Sequence, residues 1–256
     1  MYGLGFGTDR PHDSPPMSAL FRRPSLALLG GLWLLSPPAG AEPGLHGLVR
    51  TTSDYLVRGY SKSDDEAAVQ ANLDYSRADG LYLGGWLSQV DFGGAEVEGI
   101  AYLGVRRPLA TGWWVDLSVS QYAYESTVFG RQGDYAALYA SLSLRDRATV
   151  GFGFSPDPYG FGHPTGHVQV EGRHAFTDTL EASAGVGFER ARAAYDYDNV
   201  YWEAGVSWFP GSCFAVDLRY HGARQVHERA HEDDPAGDIG DTAFRDRVVL
   251  SLSCGR

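Results

Sequence analysis

The stretch TTSDYLVRGYSKSDD, residues 51–65, decides the fold. It reads as the end of a strand running into a polar, acidic turn, with charges set among apolar residues. In a β-strand successive side chains point to opposite faces. Val49, Tyr55 and Val57 therefore share one face, and Arg50, Thr52, Asp54 and Arg58 share the other. A charged face cannot be a dry core, but it can line a lumen where water or opposite charge solvates it. An apolar face opposite it then belongs in lipid, where an arginine at mid-depth costs ~2–4 kcal/mol.

The same period of two recurs downstream. Val69, Ala71, Leu73 and Tyr75 alternate with Gln70, Asn72, Asp74 and Ser76, and Leu180, Ala182, Ala184, Val186 and Phe188 alternate with Glu181, Ser183, Gly185, Gly187 and Glu189. Val168 and Val170 stand against His167, Gln169, Glu171 and Arg173, and Val200, Trp202, Ala204, Val206 and Trp208 against Tyr201, Glu203, Gly205 and Ser207. No stretch after Glu42 holds a helical apolar period. The pattern predicts about twelve strands, near 46–59, 67–78, 81–92, 96–107, 113–126, 134–145, 148–155, 166–176, 179–190, 199–209, 213–222 and 243–254. Tight connections (RADG, RPLATG, RDRA, FTDT, FPGS) alternate with longer ones (YSKSDDE, DFGGAE, STVFGRQGD, PDPYGFGHPTG, RARAAYDYD and 223–242). Short turns on one side and long loops on the other are expected of an all-β, transmembrane, antiparallel up-and-down barrel. Trp113, Trp114, Phe176, Trp208, Phe209 and Phe214 are expected to form an aromatic girdle beside the short turns. Tyr55, Phe92, Tyr124, Tyr135, Tyr201 and Trp202 are expected to form another toward the long loops.

Composition agrees. The 256 residues include 33 Gly and 15 Tyr and carry a net charge of −11, which disfavours nucleic acid as a partner. Met17 starts a segment with Arg22 and Arg23, an apolar run Leu26–Leu35 and a small-residue site Ala39-Gly40-Ala41, the three parts of an export signal in order. The predicted organisation is residues 1–16 as an over-extended start or disordered extension, 17–41 as the signal peptide and 42–256 as the barrel. The predicted location is the bacterial outer membrane. The expected partners are outer-membrane lipid, periplasmic chaperones, the barrel assembly machinery and small solutes.

Over TTSDYLVRGYSKSDDEAAVQANLDYSRADGLYLGGWLSQVDF the chain resembles the TorF-like putative porins, with Ser53, Asp54, Tyr55, Arg58, Gly59 and Ser61 as the matching signature. EGIAYLGVRRPL and WWVDLSVSQYAYES continue the likeness, which spans most of 45–253. The resemblance implies a small outer-membrane barrel and no defined substrate. One departure is the end SLSCGR, where such barrels commonly finish on an aromatic residue.

Face parity proposes a pore lining of Arg50, Asp54, Arg58, Asp74, Glu98, Arg106, Asp116, Glu171, Arg173, Glu203, Asp217 and Arg219, with Arg145, Arg245, Arg247, Glu96, Glu181 and Glu189 on the same face. Such a lining either selects solutes or fills a plugged, structural barrel with ion pairs. Loop acids, among them Asp64, Asp65, Glu66, Asp157, Asp196 and Asp198, predict a weak preference for cations. No cofactor or metal site is predicted. His227 and His231 lie in an acidic loop, His163 and His167 beside Pro164 and Gly166, and neither pair has a helix to align it. No enzyme is predicted: GxSxG and HExxH are absent, GLGFG at 3–7 precedes the export segment, and only His174 falls on the lipid-facing wall where a barrel lipase needs Ser with His. Cys213 and Cys254 come together at the rim of the last hairpin, but parity sets them on opposite faces and predicts two free thiols.

Overall fold

A computed structural model describes residues 43–145, 147–226 and 244–255. The export segment and the 227–243 stretch, with His227, His231, Glu232, Asp233, Asp234, Asp238 and Asp241, lie outside the described residues. Twelve antiparallel strands close into one barrel. They are β1 (Gly44–Thr52), β2 (Ala68–Ser76), β3 (Leu81–Phe92), β4 (Ala95–Ala110), β5 (Trp113–Tyr124), β6 (Tyr135–Leu144), β7 (Ala148–Ser155), β8 (Thr165–Thr177), β9 (Leu180–Arg190), β10 (Asp198–Trp208), β11 (Phe214–Val226) and β12 (Arg247–Gly255). Each pairs with its neighbour in sequence, and β1 pairs with β12 from Leu48↔Gly255 to Thr52↔Ser251, so the sheet has no free edge along that seam.

The faces are those of a barrel turned inside out relative to a soluble protein. Leu73, Leu83, Leu103, Leu117, Leu138 and Leu218 point outward and are more than half exposed, while Gln70, Glu98, Asp116, Glu171, Glu203 and Asp217 point inward and are buried. An apolar surface running round the whole barrel far exceeds the few hundred Å² that water tolerates on a monomer. Glycines make room for inward aromatics. Tyr82 pairs with Gly104, and Gly84 with Tyr102, so each ring lies over a glycine on the adjacent strand, where a Cβ would collide with it. That close approach sets the rotamers of the two tyrosines and pins the β3–β4 register.

Four expectations change. First, the opening strand ends at Thr52, not 59, so Tyr55 and Val57 do not face outward: Val57 is 2% exposed and packs inside the barrel. Second, DFGGAE is not a long loop. β3 and β4 are joined by Gly93 and Gly94 alone, both at positive φ, which interrupts the long–short alternation once. Third, Trp113, Phe176, Trp208 and Phe214 do face outward beside the short turns, but Phe92, Tyr124, Tyr135 and Tyr201 are buried in the interior, and Trp114 stacks inward on Arg106. The long-loop aromatics are therefore chiefly a lumen cluster. Fourth, Cys213 and Cys254 form a disulfide, with Cα atoms 4.7 Å apart. Cys213 sits one residue before β11 begins, so strand parity does not govern its side chain, and Gly255 N–H still donates to its carbonyl at 3.1 Å.

The disulfide spans 41 residues of sequence. Titration of the unfolded, unreduced protein is expected to find no reactive thiol. In the chain-entropy account the bond stabilises by about 4 kcal/mol, so a Cys254→Ser variant should unfold at lower denaturant. Two thiols per chain in the unreduced protein would contradict the pairing.

Candidate functional site: an inward hairpin over a charged lumen

Past Thr52 the chain leaves the wall because its polar groups find partners inside. Ser53 N–H makes a last wall bond to Leu250 O at 2.9 Å, and Thr52 Oγ1 donates to Asp54 O at 2.7 Å, bending the backbone. Asp54 then acts as a hub: Ser61 Oγ donates to it at 2.6 Å, Ser63 Oγ lies 3.1 Å away, and Arg247 of β12 pairs with it at 3.2 Å. Lys62 N–H donates to Tyr55 O at 2.7 Å, closing a small hairpin of Leu56–Val57 against Tyr60–Ser61. Its turn is Arg58–Gly59, at φ 49° and 98°, the left-handed conformation that two-residue hairpins use. Gly59 also abuts Ala223 of β11 too closely for a Cβ. All six signature residues, Ser53, Asp54, Tyr55, Arg58, Gly59 and Ser61, thus fall in this fold-back.

The hairpin crosses the lumen. At its tip Arg58 Nε meets Glu189 of β9 at 3.2 Å and its Nη1 contacts His167 Nδ1 of β8 at 2.9 Å; Asn199 of β10 donates to Arg58 O at 2.8 Å. On the other side Lys62 forms an ion pair with Glu98 of β4, and both are at most 1% exposed. Lys62 Nζ also donates to Tyr124 Oη at 2.7 Å, whose own hydroxyl donates to Glu98, and Tyr55 Oη donates to the second carboxylate oxygen at 3.1 Å. Asp91 N–H of β3 donates to Lys62 O at 2.8 Å. Tyr159 and Tyr195, from one-turn helices in the loops 156–164 and 191–197, fold in to complete the aromatic cluster. At the exposed rim, the hydrogen bond from Arg247 holds the Asp65 carboxyl below its usual range.

The proposed lining divides into two tiers. Asp54, Arg58 and Glu98 belong to the hairpin and its sockets. Nearer the short turns Arg219 bonds Ser183 at 3.0 Å and Asp217 at 3.1 Å and lies 3.9 Å from Glu203, which also meets His221 at 3.4 Å. Arg50 and Glu171 are buried on the same inner face, and Arg173 pairs with Glu181 at 4.0 Å. Across the lumen Tyr82 donates to Asp116 at 2.7 Å, Arg106 lies against Trp114, and Asp74 sits on the inner face of β2. Glu96, Arg145 and Arg245 are instead exposed at strand ends. Asp198 is buried and accepts from Ala191 and Arg192 N–H at 2.9 Å each, so it caps a loop rather than charging a vestibule. Lys62 was missed from sequence; His167, set by parity on the face of Glu171 and Arg173, was placed inward but not proposed as a site residue. The available signal for the hairpin was Arg-Gly, a glycine-containing pair between short apolar runs.

A model of a protein family matches residues 41–249, most of the chain. The chain belongs to the family described as "Bacterial protein of unknown function (Gcw_chp)". That description carries the family and not the TorF-like name. No curated protein sequence matches the chain. Among solved structures it is similar to the KdgM porin (TM-score 0.52, 7% identity, covering 82% of this chain and 98% of that one). It is similar to the KdgM porin in complex with disordered oligogalacturonate (0.53, 6%, 82% and 98%) and to the NanC porin (0.50, 9%, 82% and 99%). At these identities the likeness is one of fold: this family member has the barrel architecture of outer-membrane porins.

Proposed function

We propose that this Gcw_chp protein is an outer-membrane channel for small solutes, exported by its N-terminal segment and closed at rest by the hairpin within residues 53–67. The observation that carries this reading is the arrangement of the interior: a charged, hydrogen-bonding tier lies beneath a closure supplied by a loop rather than by the wall. A barrel whose only task is structural has no need of a polar lumen beneath a detachable cap. The closing hairpin is held by ion pairs of Arg58 with Glu189, Lys62 with Glu98, and Asp54 and Asp65 with Arg247, by hydrogen bonds, and by the packing of Val57 and Tyr60; the polar contacts can be exchanged for water. The lining carries both signs, and the loop acids Asp64, Asp65, Glu66, Asp157 and Asp196 outnumber nearby bases, so weak cation preference is expected and should fade as salt screens it beyond ~10 Å at 0.1 M. A second reading, a permanently plugged surface barrel, is favoured by the depth at which Lys62 and Glu98 are buried.

Heat-modifiable migration in detergent gels, from outer-membrane fractions, is expected for the assembled barrel. In planar bilayers the protein should show brief conductance steps separated by long closed periods, with a reversal potential shifted toward cations at low salt. Recovery as soluble periplasmic protein would remove the membrane placement. A folded barrel that stays silent at every voltage, and stays silent without its hairpin, would establish the plugged reading.

A further inference from the structure

The Lys62 ammonium lies within 6 Å of five ring centroids: Tyr124 at 5.3, Phe92 at 5.4, Tyr159 at 5.5, Tyr55 at 5.9 and Tyr122 at 5.9 Å. A carboxylate, Glu98, closes the cage, fully buried and oriented by the Tyr55 and Tyr124 hydroxyls. Rings around a cation present the negative faces of their quadrupoles, which is how proteins recognise alkylammonium groups. Three of the rings and the carboxylate belong to the wall, in β3, β4 and β5, and a fourth comes from the 156–164 loop; only Tyr55 and Lys62 itself belong to the hairpin. If the hairpin swings away, most of the cage therefore stays behind with its charge unmatched.

We propose that Glu98 with Phe92, Tyr122, Tyr124 and Tyr159 is a binding site for organic ammonium ions, occupied at rest by Lys62 as a tethered stand-in. Alkylamines compete with Lys62 for the cage and release the hairpin. The inference rests on the channel reading only for its consequence, that such cations promote their own passage. A tether raises the local concentration of its ligand to the millimolar range or above, so free amines act on the native chain only at high concentration. Truncating Lys62 empties the cage and exposes its intrinsic affinity.

The test uses the full-length protein folded in detergent and reads binding, not conductance. Lys62→Ala is titrated with ethylammonium and choline, and with sodium and glycerol as controls, following Trp86 fluorescence (its ring is 5.3 Å from Tyr55) and the temperature of heat modification. Saturable binding of both ammonium ions is expected, with stabilisation of the variant toward the native value. Affinity should fall at least tenfold when Glu98→Gln is added. No saturable response in the folded Lys62→Ala barrel, or an equal response with Glu98→Gln, overturns the proposal. Should Lys62→Ala fail to assemble, the native protein decides. Trypsin reaches Arg58 and Lys62 only when the hairpin is out, so ethylammonium should speed cleavage there and sodium at equal ionic strength should not; equal rates overturn the proposal. Amine binding by a barrel that never conducts would remove the channel and keep the site.

Discussion

Excising Asp54–Asp65 and joining Ser53 to Glu66 through a short glycine–serine link is expected to replace rare, brief openings by continuous conductance steps several-fold larger. The wall permits this surgery. Thr52 pairs directly with Ala68, so the tops of β1 and β2 are already neighbours and a turn of a few residues can join them. Ser53 keeps its bond to Leu250, and the β1–β12 seam closes below the cut. What is lost is the crossing: Arg58 no longer reaches Glu189 and His167, and Lys62 no longer fills the cage beside Glu98. Water then reaches the upper tier, where the freed carboxylates Glu98 and Glu189 become hydrated charges facing a pore. Ion selectivity should move from the mouth to the lumen, since excision removes the acids Asp54, Asp64 and Asp65 but also strips Arg58 and Lys62 from the buried carboxylates Glu189 and Glu98. Bilayer recordings of the native and excised proteins, matched for heat modifiability, make the comparison. Equal silence from both, with a fully folded excised barrel, would refute the hairpin as a gate.

The wall was legible because a membrane barrel writes its period of two twelve times, and each outward Leu, Val or Phe opposite a Ser, Gln or Glu repeats the same statement. Observed strand ends mostly fall within a few residues of the expected ones, as for β3 at 81–92 and β7 at 148–155. The site was far less legible. Between Thr52 and Gly59 the alternation is broken by Ser53, polar on the apolar face, and Leu56, apolar on the charged face, too slight a signal to mark the point where the strand leaves the sheet. The departure is decided by partners distant in sequence: Glu98 lies 36 residues from Lys62, and Arg58 reaches His167, 109 residues away. Lys62 looked like one charge in a solvated acidic turn because its carboxylate and its rings come from three other strands and a loop. The signature Ser53–Ser61 was visible as a motif, of which Asp54 and Arg58 were read as lumen lining and Tyr55 as lipid-facing; its geometric content, a bent, glycine-turned hairpin organised by Asp54, needed the fold. The cysteines failed for the opposite reason. Parity was applied to Cys213, which stands just outside the strand where parity holds.

The buried pair at the root of the hairpin yields the sharpest test of closure, a cycle of three variants. Glu98→Gln leaves the Lys62 ammonium 1% exposed with no compensating charge. Breaking a buried pair by removing one partner costs about 3–5 kcal/mol, and each ~1.4 kcal/mol is a tenfold change in an equilibrium. A barrel cannot unfold locally to relieve that cost, but the hairpin can leave, so the expected result is a shift of two to three orders of magnitude toward open. Lys62→Met should open the channel less. The carboxylate it strands still accepts the Tyr55 and Tyr124 hydroxyls, and hydrogen bonds to a charged group retain part of the lost stabilisation. Combining the two should close the channel again. Methionine fills the space of the lysine stem among the rings, and the glutamine carbonyl accepts from Tyr124 while no unpaired charge remains, a replacement that is commonly neutral or stabilising. The measurement is open probability in bilayers for all four proteins, together with trypsin cleavage at Arg58 as an independent gauge of hairpin release. Additive opening in the double variant would mean that the ion pair does not hold the hairpin shut; recovery of closure would place the gate at Lys62 and Glu98.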